Sequence, residues 1–328
     1  MKYLKKFQEE IEYLEYCSSD NFVEPNLSLI TELGEMRFND DRPYHDYSQD
    51  YLTFNIISAG TINWETNSDS FAKTISYSKD SGTTWTNITS STGGTNINVN
   101  AGDKVMFKGD NENYGGSSAN YNKFSDSAAI FEIEGNIMSL VNSTGFTTAT
   151  TLQSDYTFYE LFKYCSVTSA KNLVLPATTL AQYCYREMFG NCKRLTTAPE
   201  LPATTLASNC YYHMFQDCSG LTTAPELPAT TLAQGCYSGM FYSCTSLTTA
   251  PELPATTLAQ SCYISMFYGC SSLNYIKCLA TDISATICTY DWVYNVASSG
   301  TFVKDANMSS WTTGDSGIPS NWTVQDDS

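Results

Sequence analysis

The chain has 328 residues, 34 acidic against 17 basic, for a net charge of −17, and only 16% of residues are charged. That length suits one large domain or two to three ordinary ones. The acidic balance argues against nucleic-acid binding, which needs clusters of Lys and Arg on phosphates, and against docking to anionic lipid. No run of about 18 apolar residues predicts a membrane span, so no membrane insertion is expected. The opening stretch MKYLKKFQEE lacks the apolar segment of a signal peptide. Two histidines, His45 and His213, leave little room for histidine-based metal or acid–base sites, and no metal or cofactor is expected.

Residues 1–50 read as an anchor or oligomerisation segment with a linker. Leu4, Phe7, Ile11 and Leu14 are spaced 3, 4 and 3 apart, the seam of a short amphipathic helix over 2–16. Two heptads are marginal alone. The seam therefore packs on its own chain, or it self-associates or docks to a larger assembly. Residues 26–30 and 35–38 flank Leu33-Gly34 as a hairpin. The acidic stretch NDDRPYHDYSQD (39–50) reads as the linker.

From residue 51 to 145 the pattern becomes alternating short strands, such as Leu52/Phe54/Ile56 and Ile97/Val99, separated by Gly, Asn, Ser and Asp clusters. This predicts an antiparallel β-sandwich of Ig-like character. Within it, Ser78-Lys79-Asp80-Ser81-Gly82-Thr83-Thr84-Trp85 resembles the Asp box of sialidases. There the Asp ties down a hairpin turn and the Trp packs beneath it, so Asp80, Gly82 and Trp85 are expected to staple a hairpin rather than to catalyse.

Residues 146–328 carry a 26-residue repeat. The segments 195–220, 221–246 and 247–272 share LTTAPELPATTLA, Cys-Tyr, Met-Phe and a second Cys. An earlier copy ends at Cys192, and degenerate copies flank the array over about 150–295. Such a period predicts a solenoid in which each unit buries its apolar face on its neighbours. Cys184, Met188 and Cys192 lie four apart, which predicts a short helix over 181–191 and its echoes. Trp311 and Trp322 are placed as a C-terminal cap. The expected whole is a multidomain α+β protein: N-terminal helix and hairpin, β-sandwich, and helix-bearing leucine-rich solenoid.

Ten of the twelve cysteines fall on the repeat lattice; Cys17 and Cys278 do not. Zinc prefers closer pairs than the C-x₇-C seen here. Buried thiols acting as small hydrophobes fit the lattice best, with disulfides as the remaining reading. The chain has no G-x-S-x-G, P-loop, G-x-G-x-x-G or H-E-x-x-H motif, so no enzyme is expected. The framework repeats while paired positions vary. Stacking places these in rows on one face, and a mixture of Tyr, His, Arg and Gln suits an adaptable contact surface. Arg186, Glu187, Tyr212, His213, Gln216, Asp217, Tyr242 and Tyr268 are the ligand-contact candidates. The bland alternative is that these positions drift because they carry little stability.

The phrase Met-Phe-x-x-Cys-x-x-Leu followed by a Leu-Pro step resembles the BspA-like leucine-rich repeat of bacterial surface proteins. The overall layout, with Asp20-Asn21-Phe22-Val23-Glu24-Pro25-Asn26-Leu27-Ser28-Leu29 near the start, resembles virion appendage proteins (head or tail fibres) of crAss-like and other Bacteroidales phages. The resemblance implies a homo-oligomer, often a trimer in such fibres, exposed on the virion. Its N-terminus would join other virion proteins, and its repeats would meet host-surface or mucus glycans or proteins. A bacterial cell-surface BspA-like adhesin is the alternative, and a polysaccharide-acting enzyme the third reading.

Overall fold

The computed structural model describes residues 45–125, 128–309 and 311–327. The helix expected at Leu4, Phe7, Ile11 and Leu14, and the hairpin after it, lie outside the described residues.

Ten strands build two facing sheets. They are β1 (Leu52–Ser58), β2 (Gly60–Thr66), β3 (Thr74–Ser78), β4 (Thr86–Thr89), β5 (Thr95–Val99), β6 (Lys104–Lys108), β7 (Gly115–Ser117), β8 (Asn120–Ser125), β9 (Ile130–Asn136) and β10 (Asn172–Val174). One sheet runs β10-β9-β1-β6-β3-β4, the other β5-β2-β8-β7. Alternation in β1 sends Leu52, Phe54 and Ile56 inward. Phe54 stacks on Phe131 at 4.5 Å and meets Phe107 and, across the sandwich, Phe124 at 4.7 and 4.9 Å. Trp64 of β2 packs on Phe124 at 4.9 Å and donates its indole N–H to the Lys73 carbonyl at 2.9 Å.

All pairings within these sheets are antiparallel except one: β10, from the repeat region, adds in parallel to β9. On the other side of β9, Gly135 lets the chain entering β1 approach closely. Its φ is +85°, and a Cβ there would lie 2.1 Å from the Tyr51 carbonyl oxygen. Backbone cannot yield as a side chain can, so Gly135→Ala is expected to destabilise the protein by about 3 kcal/mol, combining left-handed strain with overpacking. Chemical denaturation checks this; a change below about 1 kcal/mol would contradict the close approach.

The α+β class with a helix-bearing leucine-rich solenoid is overturned. Among the described residues the helical elements are four 3-10 turns of three or four residues, and everything else regular is strand. The segment 181–191 is a chain of tight turns. Arg186 N–H bonds the Tyr183 carbonyl, Met188 the Tyr185 carbonyl and Gly190 the Glu187 carbonyl, at 3.2, 3.2 and 2.9 Å. The alternate N–H groups of Tyr185, Glu187, Phe189 and Asn191 leave the segment and bond the carbonyls of Cys210, Tyr212, Met214 and Gln216 at 2.7–2.9 Å. Every fourth residue is left-handed: Tyr183, Glu187 and Asn191 have φ of 57°, 54° and 62°. An α-helix needs i to i−4 bonds and no left-handed residue. Both conditions fail in each copy of the repeat, where Asn209, His213 and Asp217, then Gly235, Gly239 and Ser243, hold the same conformation.

The inward side of this turn chain builds two aromatic ladders that begin inside the sandwich. Tyr114 stacks on Phe158, and the row continues through Tyr185, Tyr211, Tyr237, Tyr263 and Trp292 at 5.7–6.2 Å. Phe124 stacks on Phe162, and that row continues through Phe189, Phe215, Phe241 and Phe267 at 5.4–5.9 Å. Sandwich and repeats therefore share one apolar core. At the far end β11 (Tyr275–Cys278), β12 (Thr301–Lys304) and β13 (Thr323–Asp326) form a parallel sheet. There Trp311 stacks on Trp292 at 5.6 Å, and the Trp322 indole N–H bonds the Ala297 carbonyl at 2.7 Å.

Candidate functional site

The turn chain decides which side chains reach solvent. Residues 184, 185, 188, 189 and 192 of the first full repeat point into the core, while Arg186, Glu187 and Asn191 are half-buried at the outer face. The candidates Tyr212, His213, Gln216, Asp217, Tyr242 and Tyr268 are likewise half-buried on that face. They divide into two groups along the stack.

Near the sandwich, Arg186 lies over Tyr212 at 4.6 Å and beside Tyr159 and Tyr183 at 5.5 and 5.8 Å. Its Nε also bonds the Glu187 carboxylate at 3.2 Å. Lys163 bridges Glu187 and Glu160, reaching the latter at 2.9 Å. Burial opposes ionisation of Glu187, yet the bond from Lys163 and the charges of Lys163 and Arg186 outweigh it and hold the carboxyl below its usual range. His213 packs on Tyr212 at 4.2 Å, and burial lowers its pKa, so it is neutral at pH 7. These charges are mutually satisfied, which suits a fixed contact surface better than proton transfer.

Farther along, Tyr242, Tyr268 and Tyr294 stack face to face, 4.7 Å between successive rings. That spacing matches the separation of hydrogen-bonded strands, so each repeat adds one ring in register. Gly190 and Gln216 occupy the same position in the earlier repeats. Tyr294 is 43% exposed, and its neighbour Tyr290 is 54% exposed.

Two of the four rows that hold the ligand-contact candidates have a backbone constraint on their composition. Glu187, His213, Gly239, Ser265 and Asp291 all have φ between 49° and 60°, and so does the row Asn191, Asp217, Ser243, Gly269 and Asn295 at 57–74°. Gly, Asn, Asp, Ser and His tolerate that conformation best or are short enough to bear it. His213 and Asp217 are thus of types that this conformation selects, Glu187 is not, and Arg186, Tyr212, Gln216, Tyr242 and Tyr268 are free of that constraint.

Asp80, Gly82 and Trp85 lie away from both groups, in the β3–β4 turn. Asp80 accepts from Ser78 Oγ, Thr84 N–H and Thr84 Oγ at 2.7, 2.9 and 2.6 Å. Those bonds, led by the Thr84 hydroxyl, hold its carboxyl at about 2. Trp85 donates to the Gly82 carbonyl at 3.0 Å, with Lys108 over its ring at 4.1 Å.

The described cysteines are all free and buried. One per repeat closes its unit by donating its thiol to a Phe carbonyl of the preceding unit: Cys192 to Phe162, Cys218 to Phe189, Cys244 to Phe215 and Cys270 to Phe241, at 2.9–3.1 Å. Among the described residues no group of three or more His, Cys, Asp or Glu could hold a metal ion, and no helix is long and apolar enough to cross a membrane.

One cleft escaped the reading of the sequence. It has a volume of about 640 Å³ and lies where the sandwich meets the first full repeat, between Asn63, Glu65, Lys123 and Ser125 on one side and Tyr164, Lys193 and Arg194 on the other. The available signal was Lys193-Arg194 itself, which stands where the sister repeats have Ser219-Gly220, Thr245-Ser246 and Ser271-Ser272.

No protein-family model matches the chain, and neither the curated proteins nor the solved structures yield a match.

Proposed function

We propose that this chain is an adhesion protein whose repeat face meets host-surface or mucus glycans or proteins. Following the layout it resembles, it would serve in a bacteriophage appendage, joined to the particle as a homo-oligomer through residues 1–50. The observation that carries the adhesion reading is the row Tyr242, Tyr268 and Tyr294, the first two half-buried and the third exposed, stacked in register on a continuous core. Rigid aromatic side chains give contact area at low conformational cost, and their hydroxyls give hydrogen bonds. The neighbouring Arg186–Tyr212–His213 cluster extends the same face with a cation and mixed polarity.

The test is binding of the labelled full chain to intact host-type bacteria, with and without periodate treatment of the cells. The triple variant Tyr242→Gln/Tyr268→Gln/Tyr294→Gln uses the residue that the array itself places at 216, so the fold is expected to persist. Binding should fall at least about tenfold, since each ring is worth on the order of 1 kcal/mol or more in such contacts. Loss after periodate identifies a glycan target, and survival a protein. Undiminished binding by the triple variant would remove the tyrosine row from the mechanism.

A further inference from the structure

The cleft between sandwich and repeats concentrates positive charge in a strongly acidic chain. Lys123, Lys193 and Arg194 line it against a single acid, Glu65. Lys123 is fixed by Glu65 at 3.1 Å and lies 5.4 Å from the ring centre of Tyr164. Lys193 and Arg194 are exposed, and among the described residues neither has an acidic partner within ion-pair distance. This is a local departure from the array's own rule, because residues 195–276 contain no Lys or Arg.

The rest of the lining is neutral and polar. Asn63 donates to Ser125 Oγ at 2.9 Å, and its buried Oδ1 has no hydrogen-bond partner among the described residues. Ser166 and Asn191 add further donors and acceptors, and Tyr164, 50% exposed, supplies an aromatic surface. Unpaired cations beside amides, hydroxyls and one open ring match the needs of a ring with one anionic group and several hydroxyls. A carboxylate or sulfate would take Lys193 and Arg194, with bidentate geometry open to the guanidinium. Sugar hydroxyls would take Asn63, Ser125 and Asn191, and the apolar side of the ring would lie on Tyr164. A nucleic acid fits poorly, because a net charge of −17 repels the flanking phosphates.

We infer that this cleft binds an acidic sugar residue, a uronic acid or its sulfated counterpart, within a host-surface glycan. The inference rests on the adhesion reading only for the source of the sugar; the site itself is separate from the tyrosine row. The experiment titrates the full chain with three probes: a galacturonic acid trimer, its carboxyl-reduced neutral counterpart, and inorganic sulfate. The variants are Lys193→Ser/Arg194→Gly, which copies a sister repeat and so preserves the fold, and Lys123→Gln as a change on the sandwich side.

The acidic trimer should bind at least tenfold more tightly than the neutral one. Either cleft variant should weaken it at least tenfold, and the tyrosine-row variant should leave it unchanged. Equal affinity for acidic and neutral trimers, no binding of the acidic trimer, or full binding by both cleft variants would overturn the inference. Sulfate binding as tightly as the trimer would also overturn it, since the cleft would then hold only a small anion. Trimer binding without attachment to cells would sink the adhesion reading and leave the cleft assignment standing. Cell attachment through the tyrosine row without trimer binding would do the reverse.

Discussion

Phe241→Ala is expected to destabilise the protein by about 3–5 kcal/mol, the range for deleting a buried aromatic ring. Phe241 is fully buried and stacks at 5.7 Å on Phe215 and on Phe267. A wall built of rings from both neighbouring repeats cannot close over the void, because each ring is held by backbone bonds on either side. Phe241 N–H bonds the Met266 carbonyl at 2.9 Å, and the Phe241 carbonyl accepts the Cys270 thiol at 2.9 Å. Relaxation is therefore small and the cavity cost is felt in full. The loss should also reach the sandwich, since this ladder runs without a break through Phe189 and Phe162 to Phe124. Guanidinium denaturation followed separately by sandwich and repeat signals should show one shared transition at a lower midpoint. Two separated transitions would show that the shared core does not couple the two regions, and a change below about 1 kcal/mol would mean that the ladder repacks.

Much of this arrangement was legible in the residues. Identical framework positions recur every 26 residues, and Cys184, Met188 and Cys192, read from their spacing as one face of a short helix, are all buried although no helix forms. What misled was the period. A chain of turns with a left-handed residue at every fourth position repeats every four residues, and a helix repeats every 3.6, so both place the same side chains inward. The distinguishing sign was in the variable rows: Asn191, Asp217, Ser243 and Gly269 form one position, and the set favours positive φ over helix. Some of the variable rows are thus partly fixed by backbone conformation, and the tyrosine row stands out because no such constraint explains it. The cleft was hidden for another reason. Lys123 and Lys193-Arg194 are distant in sequence, and only the docking of β8 against the first repeats brings them to one place. The pairing of β10 with β9 was equally silent, since a three-residue strand carries almost no pattern.

Raising the pH from 8 to 10 is expected to remove most of the protein's stability. Burial pushes the thiols of Cys184, Cys192, Cys210, Cys218, Cys236, Cys244, Cys262, Cys270 and Cys278 upward from an ordinary value of 9.0, with Cys270 and Cys278 at about 12. Above pH 9 the unfolded chain releases thiol protons that the folded chain retains. Fewer protons are then bound by the unfolded state, so stability falls as pH rises. Below pH 9 both states keep their protons and the contribution is complete. One pH unit above its unfolded value, each such thiol favours unfolding by about 1.4 kcal/mol. A few of them together match the roughly 5–15 kcal/mol that holds an ordinary domain. The buried hydroxyls of Tyr185, Tyr211, Tyr237 and Tyr263, also raised, add to the loss from pH 10 upward. Denaturant midpoints should be level from pH 7 to 8 and drop steeply between 9 and 10, and Cys236→Ala should flatten that drop by one thiol's share. At pH 8 a thiol reagent should reach these cysteines only as fast as the chain unfolds. Midpoints unchanged between pH 8 and 10, or rapid labelling of these repeat cysteines in the native protein, would show that the thiols are not sealed in the core.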